Sequence, residues 1–241
     1  MYRVYGRATS SNAQSLLWGM EELGLDYERL DFGGEFGGLD TADFRKLNPH
    51  GLIPVLQIGS QALFESAAIL RYLAAQHGSE SFWPSDPVRR AKVDMWAEWA
   101  KWSVADNFTG PVFWLNTRTA PERRDPARIR ANLDRFEAEL EKAEPILRQS
   151  AYLCGEELSL ADIHFGHVLY RYFDTDLDRR ILPELGSYYA RLCARPLWRL
   201  WTRLLCGLLL QRPWSLPILQ RAAHGGDGGT SLRPCVSPPA G

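Results

Sequence analysis

The chain predicts a two-part architecture, a small mixed α/β unit followed by an all-helical bundle. Strand and helix signals alternate as far as residue 77, and a short Pro-bearing segment, Trp83-Pro84-Ser85-Asp86-Pro87, interrupts them. Beyond it, apolar residues recur only at helical spacing. A chain of 241 residues is long enough to give each part its own core. The expected domains are 1–80 and 87–203, and 211–241 is expected to be a disordered tail.

Tyr2 to Tyr5 is a short strand, and Gln14 to Leu23 is helical with Gly24 as its stop. Tyr27 to Phe32 is a second strand. A glycine-rich loop over 33–38 leads to a short helix from Thr41 to Leu47. Pro54 to Ile58 and Ala62 to Phe64 form a hairpin through Gly59-Ser60, and Ser66 to Gln76 closes the unit as a helix. The order is βαβαββα.

In the second part, Val93, Trp96, Trp99 and Ala100 begin one helical stripe. Ile129, Leu133, Phe136, Leu140, Ala143 and Leu147 make another, spaced as one face of an amphipathic helix. Ser159-Leu160-Ala161-Asp162 reads as a capping box opening a buried helix. Pro183 and Pro196 bracket a last helix with Leu185, Tyr188, Tyr189 and Leu192 inward. Leu197 to Leu210 is interrupted by Arg199 and Arg203 and is shorter than the roughly 20 residues a membrane span needs. From His224 onward the composition is mostly Gly, Pro, Ser and other small residues, which cannot build a core.

Charge and cysteine content narrow the function. With 28 basic and 29 acidic residues and no like-charge run, neither a nucleic acid nor an acidic membrane is an expected partner. Cys154, Cys193, Cys206 and Cys235 show neither C-x-x-C nor metal-ligand spacing. With no apolar leader after Met1, this points to a reducing, cytoplasmic setting. His164 and His167 lie three apart without an acidic partner pair, so no metal is expected.

Two places carry chemistry. In Asn48-Pro49-His50-Gly51-Leu52-Ile53-Pro54, Pro54 cannot donate to a ladder and suits a strand's first residue. A cis Ile53-Pro54 bond would turn the Ile53 N–H and C=O outward as a peptide-binding ledge; a trans bond would simply open a strand. The second place is Ser10-Ser11-Asn12 at the start of the first helix, where backbone N–H groups favour anions. A thioredoxin-type redox enzyme needs its own cysteine pair there. This chain offers hydroxyls and an amide, so a reacting thiol must come from a ligand.

On these residues, with Glu65-Ser66-Ala67-Ala68-Ile69-Leu70-Arg71-Tyr72-Leu73 and Ser159-Leu160-Ala161-Asp162-Ile163, the chain resembles a bacterial glutathione S-transferase over about residues 1–200. The resemblance implies a thioredoxin-like N-terminal domain and a helical C-terminal domain. It also implies glutathione as co-substrate with no tightly bound cofactor, a hydrophobic electrophile, and a homodimer. Glutathione would pair with Ile53 beside Pro54, its γ-glutamyl end on Glu65 and Ser66. Ser10, with Ser11 as competitor and Asn12 as second donor, would stabilise its thiolate.

A hydrogen bond to a charged group contributes about 1.5–3 kcal/mol and a helix N-terminus about 0.3–2, enough to lower a thiol by about one to three pKa units. Leu52 stands where many relatives carry Lys or Arg for the peptide's terminal carboxylate, and His50, Arg45 and Lys46 are the candidate substitutes. Among the aromatics Trp99, Trp102, Phe108, Phe113 and Trp114, the electrophile pocket is assigned to Trp102, Phe108 and Trp114. The same activated thiolate would also serve disulfide or peroxide reduction. A binding module without turnover is the alternative outside enzymes.

Overall fold

A computed structural model describes residues 1–198. The amphipathic stretch expected over 197–210 falls almost entirely outside the described residues, as does the tail. The N-terminal unit is a four-stranded sheet in the order β2-β1-β3-β4. Its strands are β1 (Tyr2–Tyr5), β2 (Tyr27–Leu30), β3 (Val55–Ile58) and β4 (Gln61–Phe64), and its helices are α1 (Ser11–Glu22), α2 (Ala42–Leu47) and α3 (Ser66–His77). β1 pairs in parallel with β2 and antiparallel with β3, with Tyr5 opposite Leu30 and Val55. The second strand ends two residues before the expected Phe32.

Both sheet faces are covered, so successive residues Val55 and Leu56 are fully buried. Val4 and Leu56 join the main core with Leu16, Met20, Ile69 and Leu70 of α1 and α3. Tyr5 carries a smaller cluster in which Phe32 and Phe44 stack at 5.2 Å.

The second unit begins with α4 (Pro87–Glu98), capped by Asp86, whose side chain accepts from the Arg89 N–H. The rod continues through a π-helical stretch (Trp99–Ala105), α5 (Asp106–Phe108), a second π-helical stretch (Thr109–Trp114) and α6 (Leu115–Thr117). Each π turn takes an extra residue, so side chains beyond Trp99 leave the α register. The stripe expected to run from Ile129 to Leu147 is split into α7 (Pro126–Glu141) and α8 (Glu144–Leu147). Pro145 has no N–H with which to continue the ladder. Ala143 and Leu147 still point inward, at 0% and 4% exposure.

At the centre lies α9 (Leu160–Asp174), backed by α10 (Pro183–Ala194). Its start is held by Asp162, whose buried carboxylate accepts from the Leu153 N–H, the Ser159 N–H, the Ser159 hydroxyl and the Tyr188 hydroxyl. Both halves of the expected capping box are present, the Ser159 side chain meeting the Asp162 N–H and the Asp162 side chain the Ser159 N–H, and the Ser159 hydroxyl in addition donates to Asp162 at 2.7 Å.

The two domains meet along α1 and α9 through close approach. A Cβ on Gly166 would lie 2.9 Å from the Trp18 ring and 2.8 Å from Leu192. No helix among the described residues is long and apolar enough to cross a membrane.

Candidate active site

Ser10 is the N-cap of α1: its backbone is extended and its Oγ accepts from the Ala13 N–H at 3.4 Å. The helix therefore starts earlier than the sequence pattern indicated, and Ser11 and Asn12 fall within its first turn. The cap uses a lone pair of the Ser10 hydroxyl and leaves its proton available to donate. Ser10 is 9% exposed and Asn12 is open to solvent.

The ledge lies beside this turn. Ile53-Pro54 is cis, and a Cβ added to Gly6, just ahead of α1, would stand 3.7 Å from Ile53 and 3.3 Å from Ala13. Pairing with β1 begins at Val55, so Ile53 lies outside the ladder. Asn48 builds the preceding turn, its Nδ2 donating to Leu52 O at 2.9 Å and its Oδ1 accepting from the His50 N–H at 3.0 Å.

Leu52 is exposed, and His50 is a turn residue with its ring edge-on to Phe64. Of the expected cationic substitutes, Lys46 pairs with Asp43 at 2.7 Å. Arg45 instead donates to Pro49 O at 2.7 Å and lies over Gly51, where φ is +64° and a Cβ would come within 2.7 Å of the guanidinium carbon.

Glu65, before α3, has φ 67° and ψ 109°, a backbone conformation rare outside glycine. Such outliers cluster at ligand sites. Glu65 is exposed, whereas Ser66 is buried at the first position of α3.

Two cations from the second domain reach the same place, and the sequence patterns identified neither. The Lys101 ammonium, on the first π-helical stretch, donates to Asn12 Oδ1 at 2.6 Å and Ser66 Oγ at 3.1 Å. Burial pushes its pKa down, opposed by the charges of Glu65, Asp106 and Glu98. Arg171 on α9 donates to Ser11 Oγ at 3.3 Å and to Gln14 Oε1, and its guanidinium lies 5.6 Å from the Phe113 ring. Burial lowers it to about 10.

The signals for these two were present but weak: a lone Lys between Trp99 and Trp102, and an Arg inside the apolar run after Ile163. His164 and His167 are both buried on α9, and burial drives both well below the usual histidine range.

Of the aromatics assigned to a pocket, Trp102 and Trp114 are exposed, at 64% and 45%. Phe108 is a correction. It is fully buried, with Phe136 at 4.7 Å and Tyr172 at 6.1 Å, and serves as core because it faces α7 and α9. Phe113 is the aromatic adjoining Arg171.

Residues 9–76 match the family described as glutathione S-transferase, N-terminal domain, and 121–196 match its C-terminal domain. The chain is 36% identical over 198 residues to glutathione S-transferase GstB of Escherichia coli, covering 81% of this chain and 95% of that one. It is 30% identical to glutathione S-transferase 4 of Zea mays, covering 80% and 88%. Among solved structures, the theta class glutathione S-transferase of Xanthomonas axonopodis pv. citri with glutathione bound superposes with a TM-score of 0.77 at 40% identity, covering 82% of this chain and 95% of that one. Glutathione S-transferase-I bound with lactoylglutathione gives 0.76 at 27% identity, covering 84% and 99%.

Proposed function

From a chain that belongs to the glutathione S-transferase family, we infer a glutathione transferase that holds the tripeptide thiol as thiolate and directs it at a hydrophobic electrophile. The observation that carries this reading is the convergence of the α1 start with the α3 start, where Asn12 and Ser66 lie within hydrogen-bond reach of one nitrogen. A peptide spanning them has its sulfur at the anion-favouring end of one helix and its γ-glutamyl carboxylate at that of the other.

In this reading the peptide's cysteinyl backbone lies along Ile53, outside the ladder. Glu65 accepts from the γ-glutamyl ammonium, and Ser66 with the first α3 amides donates to the neighbouring carboxylate. Arg45, the cation nearest the Gly51 turn, takes the glycyl carboxylate in place of Leu52. Ser10 donates its hydroxyl proton to the sulfur while its lone pair continues to cap α1. Ser11, whose Oγ accepts from Arg171 and so also keeps a proton to donate, is the competing hydroxyl.

The thiol proton leaves to solvent, and the thiolate lone pair forms the new S–C bond. A leaving group departs with its electron pair, or an activated alkene carbon takes up a proton. Phe113, Trp102 and Trp114 line the electrophile's approach. The family reading also carries a homodimer and a cytoplasmic setting.

Isothermal titration with glutathione tests the binding step, and conjugation of chlorodinitrobenzene tests the transfer. Heat saturating at millimolar ligand or below, together with turnover, is expected; absence of heat overturns the reading. A hydroxyethyl disulfide assay alongside distinguishes attack on carbon from attack on sulfur.

A further inference from the structure

Asn12 and Ser66 belong to the first domain, yet the atom that joins them comes from the second. An ammonium has three donors and no acceptor. Lys101 Nζ at 2.6 Å from Asn12 and 3.1 Å from Ser66 therefore fixes the direction of both bonds. Asn12 must offer Oδ1, which turns its Nδ2 donors elsewhere. Ser66 must offer an Oγ lone pair, which leaves its O–H proton for another partner. We propose that Lys101 is a positioning residue acting across the domain boundary: it orients Asn12 and Ser66 so that both present donors to the anionic tripeptide. This rests on the glutathione reading.

The argument turns on the two faces of an amide. The ends of the Asn12 side chain are nearly identical in shape, so packing alone does not select one. An Asn12 that faced the sulfur with Oδ1 would set a lone pair against a thiolate; with Nδ2 it donates to it. Lys101 supplies the selection, and its placement comes from the π-helical stretch that takes it out of the α register of α4.

Its hydrogen bonds go to neutral oxygens, so its charge also remains to favour an anion nearby. The groups that face it are Glu65 ahead of α3, Glu98 and Asp106 along its own rod, and His164 and His167 on α9. Arg71 of α3 acts with Lys101 on His164 but is itself bound to Asp94 and Glu98.

The experiment follows the ultraviolet absorbance of the bound thiolate against pH, with the glutathione Kd from titration calorimetry. The proteins are wild type, Lys101→Met, Lys101→Arg, Asn12→Ala and the Lys101→Met/Asn12→Ala double variant. Lys101→Met is expected to raise the thiolate midpoint by about one unit and to weaken glutathione about tenfold, and Lys101→Arg to restore most of both. Asn12→Ala should shift the midpoint less in the Lys101→Met background than alone, because the amide is already unfixed there.

A Lys101→Met protein with the wild-type midpoint and Kd overturns the proposal, as does an Asn12→Ala shift of equal size in both backgrounds. Wild type that gives no heat with glutathione overturns the underlying reading, and this proposal with it. Wild-type binding beside an unmoved Lys101→Met overturns only the role of Lys101. Should circular dichroism show Lys101→Met unfolded, Lys101→Gln enters the same comparison with the same outcomes.

Discussion

The Arg195 guanidinium closes on the Glu22 carboxylate with contacts of 2.9 and 2.6 Å, tying the end of α10 to the end of α1, far from Ser10. Glu22 is 4% exposed and also accepts from the Trp18 indole N–H. Removing its cation leaves a buried carboxylate underpaired. Arg195 is itself partly exposed, so the full cost of a buried pair does not apply. Arg195→Met should lower unfolding stability by about 1–3 kcal/mol. Glu22→Gln should reduce that loss when combined with it, read from urea midpoints in a double-mutant cycle.

Ser10→Ala removes both a helix cap and the proposed donor to sulfur. The cap alone predicts a stability loss of about 1 kcal/mol. The donor predicts that the bound glutathione thiol titrates about one to two units higher, with kcat/KM falling in parallel at neutral pH. Ser10→Asp separates the two, since an ionised carboxylate keeps a cap acceptor but has no proton to donate. If Ser10→Ala loses stability while the thiolate titration stays where it was, Ser10 is only a cap and Ser11 becomes the residue to change.

Asp162 gathers four donors onto one buried carboxylate. Asp162→Ala leaves the Leu153 and Ser159 amides and the Tyr188 hydroxyl without that acceptor, which should cost about 3–5 kcal/mol. Asp162→Asn retains part of the acceptor capacity and should fall between. Thermal unfolding of the three proteins gives the order; a change below 1 kcal/mol for Asp162→Ala would contradict it.

Burial, and after it the charges of Lys101 and Arg71, pushes His164 down to about 3, and burial also holds His167 well below the usual range. In the unfolded chain both titrate near 6.5. For His164 the unfolded state therefore binds more protons between about 6.5 and 3, and stability, complete above 6.5, falls as the pH falls through this window; His167 acts in the same direction. His164 contributes up to about 1.4 kcal/mol per pH unit there. The urea midpoint should decrease from pH 7 to pH 5, and His164→Leu should make that decrease shallower. Parallel slopes for wild type and variant would argue against the assignment.

Features whose causes are local were legible in the residues. The Gly24 stop, the Gly59-Ser60 hairpin and the helix starts at Thr41 and Ser66 depend on neighbours a few positions away, and the structure has each of them. The Ile53-Pro54 step and Ser10-Ser11-Asn12 likewise marked their own places. Lys101 and Arg171 did not, because their partners lie 89 and 160 residues away in sequence.

Helical spacing could not separate Phe108, which is core, from Trp102, which is exposed. A periodicity argument assumes 3.6 residues per turn, and the π-helical stretches on either side of Phe108 change that value. Pro145 was visible in the sequence, but the apolar stripe continued past it and concealed the break between α7 and α8.

The hydrogen bonds from Lys101 and Arg171 into α1 bear on how such chains can be recombined. A chimaera cut in the 78–86 linker, joining this first domain to a relative's helices, inherits Ser10, Asn12 and Ser66 but not the cations that meet them. Shuffled libraries built at that junction should therefore retain function mainly when positions 101 and 171 travel together with 11, 12, 14 and 66 as one inherited block.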